Sequence, residues 1–178
     1  MMIYGMNVDI DDDITIDCFI NQVDEESWLE FMPKGLTKGK FKEFTKYYDA
    51  DVFVEAGRII RRRAKSYDKL DVIERTEKIA ELFSSFKNPD KETVLTPWRV
   101  VNMQLVKTFG GYSFFDEKFE NTTIDGKPAN HWVETSETQS IYSNESKILD
   151  INAKTGLYPL FAATSLYSVS YTHLTLPT

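Results

Sequence analysis

The sequence predicts an α/β fold with a mainly helical N-terminal part, and three observations support this. Apolar residues recur at helical spacing through most of residues 24–86. One short apolar run, Lys147-Ile148-Leu149-Asp150-Ile151-Asn152, reads as a strand; it enters a glycine turn and then an apolar helix from Leu157 to Tyr167. Residues 116–146 ahead of it are polar and turn-rich. The expected division is a helical region over 1–90, an α/β region over 91–167, and a separate tail over 168–178.

Composition narrows the function classes. A chain of 178 residues suits one domain of ordinary size and is long enough to bury a core. Lys+Arg total 21 against Asp+Glu 28, a formal charge of −7, which excludes a basic nucleic-acid coat but leaves room for a local basic patch. Cys18 is the single cysteine, so an internal disulfide is ruled out and a thiolate zinc site is not expected. No run approaches the ~18 uninterrupted apolar residues of a membrane span. Met1-Met2-Ile3-Tyr4-Gly5 lacks the basic start of a signal peptide, so a cytoplasmic, soluble chain is expected.

The first residues alternate loosely, with Ile10, Ile14 and Ile16 among Asp9, Asp11, Asp12, Asp13 and Asp17. They read as a strand end or solvated turn, since neither a calcium-loop glycine nor a later bidentate Glu accompanies the acids. Asp24 can cap a helix bearing Trp28, Leu29 and Phe31, stopped by Pro33 and Gly35. Thr37 can cap one bearing Phe41, Phe44 and Tyr48. Asp51 precedes Val52, Phe53, Ala56, Ile59 and Ile60, and Asp68 opens a stripe through Val72, Ile73, Thr76, Ile79, Ala80, Phe83 and Phe86. Asn88-Pro89 ends that helix, because a residue before proline is pushed out of the helical region.

Arg61-Arg62-Arg63, with Arg58 and Lys65, is the densest basic cluster. It reads either as a contact to the DNA phosphate backbone or as a solvated helix end, where cations complement the dipole. Further on, Thr96-Pro97 predicts a helix start, with hydroxyl at N-cap and proline at the first turn. Trp98, Val101 and Leu105 follow at helical spacing until Gly110-Gly111. Asp125-Gly126-Lys127-Pro128 reads as a hairpin or insertion. His131 and His173 have no ligand-spaced partner, and neither reads as a metal ligand or catalytic base.

A short strand ending in an acid, a tight glycine turn and a helix together make the cofactor crevice of α/β sheets. The turn brings backbone close to a ligand, and the helix start offers free N–H groups. Thr96-Pro97-Trp98-Arg99-Val100-Val101, followed some fifty residues later by Ile148-Leu149-Asp150-Ile151-Asn152-Ala153-Lys154-Thr155-Gly156, resembles the adenine-specific DNA methyltransferases of restriction–modification systems. The stretch Leu149–Leu160 is similar to a variant found in large fused helicase–methylase restriction enzymes. The resemblance spans about residues 94–167 and implies a Rossmann-like domain that binds S-adenosylmethionine, with double-stranded DNA as substrate. It implies Thr96, Pro97, Asp150, Asn152, Thr155 and Gly156 as cofactor-binding residues, with Asp150 beside the methionine ammonium and the turn amides beside its carboxylate. Ile151 stands where the family has proline, and Lys154 where it has glycine.

The family's Asn/Asp-Pro-Pro-Tyr/Phe loop, which holds the flipped-out base, has no counterpart here. The nearest stretch, Asn88-Pro89-Asp90-Lys91, precedes the cofactor segment. The acid expected for the ribose hydroxyls is missing as well. No catalytic residue and no metal ligand is therefore assigned. The last nine residues, Ser170–Thr178, resemble translated sequencing-adapter sequence, so the chain reads as an inactive N-terminal piece of a methyltransferase. Two alternatives stand beside this reading: another Rossmann-like nucleotide enzyme, against which the single turn glycine argues, and a non-enzymatic helical interaction module.

Overall fold

The computed structural model describes residues 9, 12–86, 95–143, 145–151 and 155–175, which fall into two compact units. The first takes the described residues through Lys69, and the second those from Leu70 onward.

Four helices build the first unit: α1 (Ile16–Gln22), α2 (Glu25–Phe31), α3 (Lys38–Phe44) and α4 (Ala50–Ser66). A side-chain oxygen caps each. The Thr15 hydroxyl accepts from Cys18 N, Asp24 from Ser27 N, Thr37 from Lys40 N, and Asp49 from Asp51 N and Val52 N. The caps at Asp24 and Thr37 are those expected from sequence, whereas α4 is capped by Asp49 rather than preceded by Asp51. At the acidic start the turn alternative holds among the described residues, with Asp12 N donating to the Asp9 carbonyl at 3.1 Å and Asp12 and Asp13 exposed, and no strand forms there. From Ile16 the chain is helical, because Ile16, Phe19, Ile20 and Val23 share one helical face and Thr15 supplies the cap.

These residues bury themselves with Ile14 and Trp28 against Phe41 and Phe53. The Phe19 and Phe53 rings lie 5.9 Å apart, and those of Trp28 and Phe41 meet edge-on at 5.4 Å. The buried indole of Trp28 donates to the Leu36 carbonyl at 2.7 Å, which fixes the turn before α3. Asp13, expected in a solvated turn, accepts two hydrogen bonds from the Arg58 guanidinium on α4.

The second unit contains α5 (Val72–Ser84), α6 (Trp98–Phe109), β1 (Gly111–Ser113), β2 (Thr123–Ile124), β3 (Lys127–Pro128), β4 (His131–Val133), α7 (Thr138–Ile141) and α8 (Leu157–Thr175). Asp71 caps α5, three residues later than the expected start at Asp68. Strands β1 and β4 pair antiparallel with Tyr112 opposite Trp132, and β2 and β3 form a separate hairpin. Its turn places Asp125 and Gly126 at φ of 50° and 75°, two successive left-handed residues, and the hairpin alternative expected for this stretch is the one that forms. Helices α5, α6 and α8 pack with β1 around Ala80, Val101, Val106, Phe114, Leu157 and Phe161.

Gly110 and Gly111, at φ of 71° and 107°, let the chain leave α6 and enter β1 under close cover. A Cβ on Gly110 would lie 2.3 Å from Thr138 Oγ1, and one on Gly111 would lie 2.6 Å from Ser165 Oγ.

The expected strand over 147–152 is not formed in its described part. Residues 147–151 pair with no strand, and Ile148, Leu149 and Ile151 are 53%, 85% and 92% exposed. A strand needs a ladder partner, and both sheets among the described residues are two-stranded and antiparallel without this segment. Asn152 lies outside the described residues, as does the Asn88-Pro89 stop. The expected helix from Leu157 forms and runs on to Thr175, across residues set apart in the sequence as a tail. Among the described residues no helix is long and apolar enough to cross a membrane.

Candidate cofactor site

The helices that follow the two sequence segments, α6 and α8, pack on each other. Thr96 and Pro97 lead into α6, and Thr155 and Gly156 lead into α8. The starts of these helices are packed together: the rings of Trp98, the first residue of α6, and Phe161, one turn into α8, lie 6.3 Å apart. The Tyr158 hydroxyl donates to Gln104 Oε1, a second tie along the same seam.

The start of α6 differs from expectation by one residue. Pro97 is the N-cap, Thr96 makes no capping bond, and the helix begins at Trp98. The Pro97 carbonyl accepts from Val100 N and Val101 N at 2.9 and 3.1 Å. With no side chain closing this end, early amides of α6 lack a capping oxygen.

On the other side Thr155 is buried, and Gly156 sits at φ 73° with no atom within 4 Å of the position a Cβ would occupy. This left-handed turn suits glycine, and its outer side is open. The Gly156 carbonyl accepts from Leu160 N at 3.0 Å, closing the first turn of α8. Asp150 is half-buried, and its Oδ2 atom is screened from water although its neighbours Leu149 and Ile151 are exposed.

Two groups at this seam were not legible as site residues. Trp98 Nε1 is buried and donates to no acceptor among the described residues; a buried donor left so costs about 1–3 kcal/mol. Asn102 is fully buried one turn further on. It donates to the Trp98 carbonyl at 2.9 Å and accepts from Phe114 N at 3.0 Å, tying the start of α6 to the strand region. An Asn in an apolar helix face is the signal that sequence offers for such a bridge.

The arginine cluster is split by helical geometry. Arg61 is on the inner face of α4 and 8% exposed, whereas Arg62 and Arg63 are on the outer face. A phosphate contact would fall to Arg62 and Arg63. Comparison with known proteins gives no match to a family model, a curated protein or a solved structure.

Proposed function

We propose that the segments around Thr96–Trp98 and Asp150–Gly156 belong to the S-adenosylmethionine pocket of an adenine-specific DNA methyltransferase of a restriction–modification system. The observation that supports this reading is the packing of α6 on α8 through Trp98 and Phe161, on the helices that follow the two segments of the resemblance. The donor set suits the amino-acid end of the cofactor: a carboxylate for its ammonium at Asp150, and for its carboxylate the helix start behind Gly156, whose approach is open. The orphaned Trp98 indole adds a donor at the same seam. Asn152 completes the proposed set from outside the described residues.

When bound, the cofactor supplies an activated methyl group for the exocyclic amine of adenine in double-stranded DNA. The chain itself has no Asn/Asp-Pro-Pro-aromatic loop to orient that amine, so methyl transfer is assigned to a longer parent and not to these residues.

The test is calorimetric titration of the chain with S-adenosylmethionine and, separately, with NAD. Binding of the first but not the second is expected. Gly156→Ala is expected to abolish it, while Gly126→Ala, at nearly the same positive φ and equally uncrowded, carries the same backbone strain and is expected to leave it unchanged. Binding of NAD alone, or equal effects of the two glycine variants, would overturn the assignment.

A further inference from the structure

Helix α4 carries an exposed apolar strip on its outer face. Val52 and Ile59, two helical turns apart, are 64% and 49% exposed, with Ala56 exposed between them. Along one flank of this apolar strip the charge changes sign: Asp51 and Glu55 in the N-terminal half, then Arg58 and Arg62 in the C-terminal half. Arg58 is already engaged by Asp13 and Glu55, whereas Arg62 makes no ion pair among the described residues.

We propose that this face is a contact between two copies of the chain, with α4 packed antiparallel on α4 about a two-fold axis near Glu55 and Ala56. The charge order selects both the occupant and its direction. An antiparallel copy sets Val52 against Ile59 of the second copy and Asp51 beside Arg62 of the second copy, twice over by symmetry. A parallel copy would turn this flank toward the opposite one, which carries Phe53, Gly57 and Ile60, so the Asp51–Arg62 pairs would not form. Ala56 at the crossing leaves room for close approach of the two helices. A polyanion such as DNA would meet Asp51 and Glu55 on the same flank, which disfavours it as the occupant.

Helix α4 is about 25 Å long, and one helix face offers fewer than the ~20–30 residues a side of a standard interface. The dimer is therefore expected to be a weak, reversible one. The contact does not depend on the methyltransferase reading.

Sedimentation equilibrium on the full chain, from micromolar to near-millimolar concentration, is the test. The average mass is expected to rise from one chain toward two. Ile59→Lys, at a half-exposed position and with helix content checked by circular dichroism, is expected to stay monomeric. Asp51→Arg and Arg62→Asp are each expected to weaken association about tenfold, and the double variant to restore it. A monomer at every concentration would overturn the proposal, as would an Ile59→Lys variant that still dimerises or a double variant that is not rescued. If Arg62→Asp instead weakens binding to mixed-sequence duplex DNA while leaving the mass profile unchanged, the face reads phosphate and the proposal falls.

Discussion

The two units of this chain are held together by different physics. In the first, the buried residues Ile14, Ile16, Phe19, Ile20, Val23 and Trp28 lie within fifteen positions of one another, with Phe41 and Phe53 packed on them, and each helix starts at its own side-chain cap. In the second, the core joins residues from Ala80 to Phe161, and buried polar groups bridge long distances in sequence. Thr76 bonds Thr164 at 3.1 Å, Asn102 accepts from Phe114 N, and Ser165 accepts from Tyr112 N at 3.0 Å. Local order thus defines the first unit, while the second is defined by non-local contacts that leave little room for change.

The sharpest way to break that contrast is at Gly111. A branched side chain there would meet Ser165 Oγ and the Tyr142 hydroxyl inside contact distance, at a φ that L-residues rarely adopt. Gly111→Val is expected to cost about 5 kcal/mol or more and to unfold the second unit. The first unit is expected to keep its helices. Urea melts followed by the fluorescence of Trp28 alone, with Trp98 and Trp132 replaced by Phe, check that the first unit survives.

The reciprocal experiment is Trp28→Ala. It removes a side chain 1% exposed, its ring contacts with Phe19 and Phe41, and its bond to Leu36. A loss of about 3–5 kcal/mol is expected in the first unit. The near-ultraviolet signal of Trp98 and Trp132 should be unchanged, and its collapse would show that the units do not fold separately.

The same contrast explains what was legible in the sequence. The caps Asp24 and Thr37 announce their helices because a short acceptor before an apolar period is a local rule, and the Asp125-Gly126 turn is local in the same way. Thr15 gives no such signal, because Ile10, Ile14 and Ile16 mimic an alternating strand and acids crowd the helical period that follows. The run at 147–151 has every strand propensity, yet propensity carries no partner, and the described residues offer no ladder. At the candidate site the sequence names the motif residues Thr96, Pro97, Asp150 and Gly156 one by one. That α6 and α8 share a seam, with Asn102 and the Trp98 indole inside it, depends on tertiary packing and has no local signature.

Asn102→Leu tests that hidden bridge. The swap nearly conserves volume but leaves the Phe114 amide without its acceptor in a buried setting. A loss of about 1–3 kcal/mol is expected, confined to the second unit. If hydrogen exchange at the Phe114 amide stayed as slow in the variant as in the parent, the bridge would be structurally idle.

The smallest effect separates the units by pH. In the first unit, backbone and side-chain hydrogen bonds from Ser27 hold the Asp24 carboxyl below the usual carboxylate range, and Arg58 does the same for Asp13. In the second, Asp116 is lowered by bonds from Glu120 N and the Asn121 side chain, while burial raises the phenols of Tyr112 and Tyr142. For the lowered carboxylates, the unfolded chain takes up protons first as pH falls below the ordinary value of 3.8. Their stabilisation is thus full above that value and gone below the depressed native one. For the tyrosines the sign reverses: above the ordinary value of 10.0 the unfolded phenol ionises while the folded one stays neutral, so stability falls as pH rises. The first unit is therefore expected to weaken mainly in acid, and the second in alkali with a smaller acid response through Asp116. Thermal melts at pH values on either side of these windows, read by Trp28 for one unit and by Trp98 with Trp132 for the other, check this. An Asp24→Asn variant is expected to flatten the acid limb of the first unit only, and a Tyr142→Phe variant the alkaline limb of the second. Flattening of both limbs in both units by either variant would mean that the chain melts as a single cooperative body.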